Sequence, residues 1–96
     1  MKLVYPAIFY ADEEAYAVVV PDLPGCVSGG ASLPEAIAMG VDAASGWVLG
    51  ELEDGRTAPP ASRMEDIHPD PEMGDGFVSL LSLDMDAYAA KYGSKS

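Results

Sequence analysis

Leu3-Val4-Tyr5-Pro6-Ala7-Ile8-Phe9-Tyr10, then Ala11-Asp12-Glu13-Glu14, then Ala15-Tyr16-Ala17-Val18-Val19-Val20 is the stretch on which the fold turns. Both apolar runs are rich in β-branched and aromatic residues, and the polar quartet between them has the length of a hairpin connection. The reading is a β-hairpin with strands over residues 3–10 and 15–20. Alternation places Leu3, Tyr5, Ala7 and Phe9 on one face of the first strand and Val4, Ile8 and Tyr10 on the other, so both faces ask for cover. Pro6 donates no ladder hydrogen bond and predicts a bulge or an unpaired side at its position.

Working outward, Pro21-Asp22-Leu23-Pro24-Gly25 combines φ-fixing prolines with a glycine free to take positive φ, which is turn chemistry. A third strand over residues 26–29 follows and breaks at Gly29-Gly30. Ser32-Leu33-Pro34-Glu35 has the spacing of a capping box, and Pro34 in the first turn costs no intrahelical bond. The helix it opens runs to about Glu53, with Leu33, Ile37, Val41, Ala44, Val48 and Leu52 as an apolar stripe and Trp47 beside it. Gly40, Gly46 and Gly50 weaken this helix unless small residues are needed against the sheet. Residues 54–76 lack periodicity, and Pro59, Pro60, Pro69 and Pro71 mark them as an irregular surface loop. Residues 77–83 read as a fourth strand, and Asp84 caps a short helix over residues 85–92 that Gly93 ends.

The fold class is therefore α+β, in the order β-β-β-α-β with a further short helix. A right-handed crossover would return strand four parallel to strand one in a mixed four-stranded sheet of order 3-2-1-4. One long helix covers one face. The other is expected to lie under the C-terminal helix, a second copy or another protein, since large apolar patches are unusual on monomers. The order resembles a partial ribonuclease H core, whose two-metal chemistry needs a carboxylate on the first strand. Residues 3–10 contain none. Glu35, Asp42 and Asp84 read as capping or solvated charges, His68 as a solvated loop residue without triad partners, and Cys26 as a core filler. The acids from His68 to Glu72 miss the spacing of a calcium loop, and Gly25, Gly29 and Gly30 that of a phosphate loop. The expectation is a protein with no catalytic residue, no metal and no cofactor.

Sixteen Asp and Glu against five Lys and Arg give 96 residues a formal net charge of −11, which repels phosphate backbones and attracts basic surfaces. Unaided nucleic-acid binding is not expected. With 49% hydrophobic residues the chain can still fold, as one domain. A single cysteine excludes an internal disulfide and fits a reducing compartment; no apolar run reaches membrane length and no leader pattern opens the chain, so the expected location is cytoplasmic.

The run Tyr5-Pro6-Ala7-Ile8-Phe9, the acidic turn, and Tyr16-Ala17-Val18-Val19-Val20-Pro21-Asp22-Leu23-Pro24-Gly25-Cys26 resemble HicB-like antitoxins. The likeness continues through Ser32-Leu33-Pro34-Glu35-Ala36 and Leu83-Asp84-Met85-Asp86 to Lys91-Tyr92-Gly93, with Pro-Asp-Leu-Pro-Gly-Cys the most specific string. The resemblance implies a core domain over residues 1–93 with a tail at 94–96, assembly into dimers or tetramers, and binding to a HicA-like toxin, a small basic messenger-RNA-cleaving protein. On this reading toxin contact is expected at Asp12, Glu13 and Glu14, which contribute acidic surface, and at the family-defining loop Asp22, Leu23, Pro24, Gly25 and Cys26, a loop that reads equally as a rigid turn fixing strand register. Members of the family often continue into a DNA-binding domain. This chain stops at Ser96, so the expectation is either a chain cut short before such a domain or a short member without autoregulation; operator DNA would be reached only in the first case, through the further C-terminal domain. A stand-alone oligomerising domain without a toxin is the alternative.

Overall fold

The structure is a computed structural model and describes residues 1–93. The tail expected at 94–96 lies outside the described residues. Three strands come first: β1 (Lys2–Ala11), β2 (Tyr16–Val19) and β3 (Val27–Gly30). The long helix α1 (Leu33–Glu53) follows, and the chain ends in β4 (Gly76–Asp84) and α2 (Met85–Tyr92). The 54–75 connection contains two 3-10 turns, Met64–Asp66 and Pro71–Met73.

The sheet order is β3-β2-β1-β4, as the sequence predicts. The strand directions are not. Every pair is antiparallel, β1 with β4 included, from Lys2 opposite Asp84 to Tyr10 opposite Gly76. The sheet is therefore not mixed, and the parallel fourth strand of a ribonuclease H core is missing. The reason lies in the connection after α1. The Tyr5 hydroxyl donates to the Pro59 carbonyl at 2.6 Å, and the Asp70 N–H donates to the Tyr10 hydroxyl at 2.8 Å. The segment thus climbs the length of β1 a second time and delivers β4 from the far end.

Pro59 meets Tyr5 on the α1 side, and the later part of the segment, at Pro69 and Asp70, lies over the second face of the sheet. Pro6, Ile8 and Tyr10 are buried on it, and an added side-chain carbon at Gly76, opposite Tyr10, would stand 2.9 Å from both Pro69 and the Tyr10 ring. The predicted cover was α2, a second copy or another protein; α2 packs instead on α1 and the start of β1. The cover is incomplete, since Val4, Leu80 and Val27 remain about half exposed or more on this face. Tyr10→Phe removes the hydroxyl that receives the Asp70 N–H and is expected to cost about 1 kcal/mol in urea unfolding. An unchanged midpoint would mean that this bond does not hold the segment down.

Pro6 produces no bulge, since the β1–β4 register runs through it without a slip. The β1–β2 ladder begins only at Ile8, which leaves Pro6 with a strand partner on the β4 side alone.

Tyr5, Ala7 and Phe9 face α1, as alternation predicts, together with Val18, Val20, Leu81 and Leu83. The face α1 turns toward them is rotated from the predicted stripe. Ala36, Gly40, Ala44, Ser45 and Val48 are buried, Leu33, Val41 and Leu52 flank them, and Ile37 is 41% exposed. Small residues permit this. At Gly40 an added Cβ would stand 3.1 Å from Val18 Cγ1 and 3.3 Å from Leu81 Cδ1, so the helix backbone lies close on the sheet. Gly46 instead receives the Tyr88 hydroxyl of α2, and Gly50 faces open space. Both helices start as predicted: Ser32 Oγ accepts from the Glu35 N–H, Glu35 reaches back to the Ala31 N–H, and Asp84 Oδ1 accepts from the Ala87 N–H.

Candidate protein-binding surface

The hairpin turn is built by Asp12. Its Oδ1 accepts from the backbone N–H groups of Glu14 and Ala15, both at 2.9 Å, while the Asp12 N–H donates to the Ala15 carbonyl at 3.0 Å. These bonds favour the charged form, and the Asp12 carboxyl titrates below the ordinary aspartate range. Glu13 and Glu14 are left projecting into water.

The covering segment brings more charge to this end. The Ala11 N–H donates to the Asp75 carbonyl at 3.2 Å, Asp70 is bound to Tyr10, and Asp70 Oδ1 accepts from the Glu72 N–H at 2.9 Å. Asp12, Glu13, Glu14, Asp70, Glu72 and Asp75 therefore share one end of the sheet, all of them exposed. No described Lys or Arg joins them. Lys2 lies at the opposite end of β1, Arg56 is paired with Glu51 and Asp54, Arg63 with Glu65, and Lys91 lies over the Tyr92 ring. Among the described residues no group of three His, Cys, Asp or Glu side chains converges closely enough to hold a metal ion. The arrangement is a dispersed negative field rather than a chelate, suited to a broad basic surface.

The loop from Pro21 to Cys26 lies at the other end of β2, a four-residue strand's length of about 14 Å away. The structure does not bring the two predicted contact regions together. Within the loop, the Leu23 N–H donates to Val20, the Cys26 N–H to Leu23, and the Val20 N–H to Cys26, with Gly25 at φ +81°. Leu23 is fully buried and Cys26 nearly so. Burial raises the pKa of the Cys26 thiol and keeps it protonated. Two clamps hold the loop from outside: Trp47 Nε1 donates to the Pro24 carbonyl at 3.0 Å, and the Asp22 carboxylate accepts from the Ser62 N–H and hydroxyl at 2.8 and 2.6 Å. Only Pro21, Pro24 and Gly25 present an exposed edge.

Sequence reasoning missed Asp70, Glu72 and Asp75 at the acidic end, and it missed Trp47 and Ser62 as loop clamps. No periodicity marks the acids, which reach the hairpin only through the path of an aperiodic segment. Trp47 did carry a signal, since an indole packed against a core, even one partly buried, usually finds an acceptor for its N–H. No helix among the described residues is long and apolar enough to cross a membrane.

The fold is an antiparallel four-stranded sheet backed by one long helix, with a clamped Pro-Asp-Leu-Pro-Gly-Cys loop and, among the described residues, an acidic end without Lys or Arg, and it defines a small α+β domain. The model of the HicB-like antitoxins of bacterial toxin–antitoxin systems matches residues 5–94, and the chain belongs to that family. An uncharacterized 14.9 kDa protein from the rep-hol intergenic region of Haemophilus phage HP1 is 34% identical over 83 residues; the match takes in 86% of this chain but 62% of the phage protein. Among solved structures, a chain of a toxin–antitoxin complex from Streptococcus pneumoniae is 26% identical with a TM-score of 0.77, over all of this chain and 80% of that one. The N-terminal domain of the Burkholderia pseudomallei antitoxin HicB is 29% identical with a TM-score of 0.70, over 85% of this chain and 99% of the domain.

Proposed function

We propose that this chain is an antitoxin that binds and neutralises a small, basic, HicA-type messenger-RNA-cleaving toxin, acting by occlusion rather than by catalysis. Beyond family membership, the observation that carries this reading is the acidic end of the sheet, where six carboxylates project with no described Lys or Arg among them. Such a field speeds encounter with a cationic surface and disfavours RNA or DNA as a direct ligand. Asp12, Glu13 and Glu14 are assigned to toxin contact. In the second region, Pro24 and Gly25 supply the accessible edge, while Asp22, Leu23 and Cys26 hold it in shape. Assembly into dimers or tetramers and a cytoplasmic location complete the proposal.

The test is co-purification with the small basic protein encoded beside this chain, followed by an RNA-cleavage assay. Binding and loss of cleavage are expected. Glu13→Lys, Glu14→Lys and Glu72→Lys together, which leave the Asp12 turn bonds intact, are expected to slow association about tenfold or more at low salt and to differ little from wild type at high salt. A basic neighbour that cleaves RNA equally well with and without the chain would end this reading.

A second reading, a stand-alone oligomerising domain, is favoured by the half-exposed Val4, Leu80 and Val27 on the incompletely covered sheet face. A stable homo-oligomer indifferent to the basic protein would select it.

A further inference from the structure

A groove of about 380 Å³ runs between α1, the outer edge of β4 and α2, away from the acidic end. It is at the small end of the roughly 300–1,000 Å³ of small-molecule sites, with ample room for one long side chain. Val41 gives it an apolar wall, Tyr88 and Tyr92 an aromatic one with ring centroids 4.7 Å apart, and Asp42, Asp84 and Lys91 its charges. Two carboxylates face one ammonium. None of the three forms an ion pair among the described residues; Lys91 instead places Nζ 5.2 Å from the centre of the Tyr92 ring. The groove therefore already seats a cation on an aromatic face; of its two carboxylates, Asp84 caps α2 and stands opposite Lys2 in the sheet, which leaves Asp42 to meet a second cation. Burial and the nearby Asp42 charge both raise the Tyr88 pKa, so that phenol stays neutral beside the carboxylate.

We propose that this groove receives an arginine side chain from a protein partner, its guanidinium stacked on the Tyr88–Tyr92 pair and paired with Asp42. Guanidinium fits this chemistry better than ammonium because it is planar, weakly hydrated and able to meet a carboxylate through two parallel bonds. A second copy of the chain is a poor donor. Its only arginines, Arg56 and Arg63, are already paired with Glu51, Asp54 and Glu65, and each copy carries a net charge of −11. That the partner is the toxin rests on the antitoxin reading; the chemistry of the groove does not.

The experiment is a titration of the ¹⁵N-labelled chain with N-acetyl-arginine amide, using N-acetyl-lysine amide as the matched ammonium. Amide shifts centred on Asp42, Ser45, Tyr88 and Tyr92 are expected to saturate in the millimolar range. Asp42→Asn is expected to weaken the effect about three- to fivefold, the size of one exposed ion pair, and Lys91→Ala to strengthen it by a similar factor. Asp42 is exposed on α1, so the unchanged amide pattern of Asp42→Asn elsewhere reports intact folding. Shifts confined to residues 12–15, shifts of equal size with the lysine amide, or saturation indifferent to Asp42→Asn would each overturn the proposal. No toxin enters the titration, so a failed groove and a failed antitoxin reading give separate results.

Discussion

Leu23→Ala is expected to lower the unfolding free energy by about 3 kcal/mol, against about 0.4–1 kcal/mol for Pro24→Ala next to it, which loses only the proline's preset turn angle. Leu23 lies at the centre of the family's most specific string, which invites a reading as a contact residue. Its side chain, however, is fully buried in the same core as Tyr5, Phe9, Leu81 and Leu83. Truncation removes the transfer free energy of the leucine and leaves a cavity that the loop cannot collapse into, because Trp47 and Ser62 hold it from two sides. The exposed Pro24 contributes to the clamp only its carbonyl, which alanine retains. For a domain of about 100 residues the Leu23 variant should melt on the order of 12–24 °C lower, since each kcal/mol is worth roughly 4–8 °C. Differential scanning calorimetry on the two variants decides the matter. A Leu23→Ala melt within a few degrees of wild type would show that the loop is not anchored through this side chain.

The local parts of this fold were legible because each carries its own signal. The β-branched runs gave β1 and β2, the Ser32–Glu35 box gave the start of α1, and Asp84 with Gly93 bounded α2, all within a residue or so of the observed ends. What could not be read depends on contacts between distant residues. The direction of β4 follows from where residues 54–75 travel, and that path is set by Tyr5 meeting Pro59 and Tyr10 meeting Asp70. Nothing in an aperiodic, proline-broken segment announces those meetings. The same path explains the site. Asp12, Glu13 and Glu14 were visible as an acidic turn, whereas Asp70, Glu72 and Asp75 joined them only because the segment returns to the hairpin end. Family likeness named the Pro21–Cys26 loop, but burial shows that Leu23 and Cys26 act there through the core.

The rotated face of α1 leads to the second large effect. A helix register that favours large apolar residues would have turned Ile37 inward; the observed one exposes Ile37 and buries Gly40 between Val18 and Leu81. The gain is proximity. Without a side chain at position 40 the helix backbone can lie close on the sheet, and Ala36, Ala44 and Val48 pack at the same depth. Gly40→Leu would force four more carbons into a space where even a Cβ stands 3.1 Å from Val18. Tilting the helix away would loosen its other contacts, so a loss of about 3 kcal/mol is expected despite the better helix propensity of leucine. Gly50→Ala is the matched control. It meets nothing within 4 Å and should gain about 0.5–1 kcal/mol from the same propensity term acting alone. Gly40→Ala falls between them, with the propensity gain set against a contact a few tenths of an ångström too short. The ordering Gly50→Ala above Gly40→Ala above Gly40→Leu in urea midpoint follows from close packing and from no other feature of the helix. A Gly40→Leu protein as stable as wild type would mean that α1 does not lie on the sheet through this face, and the positions of Asp42 and Tyr88 beside the groove would have to be drawn again.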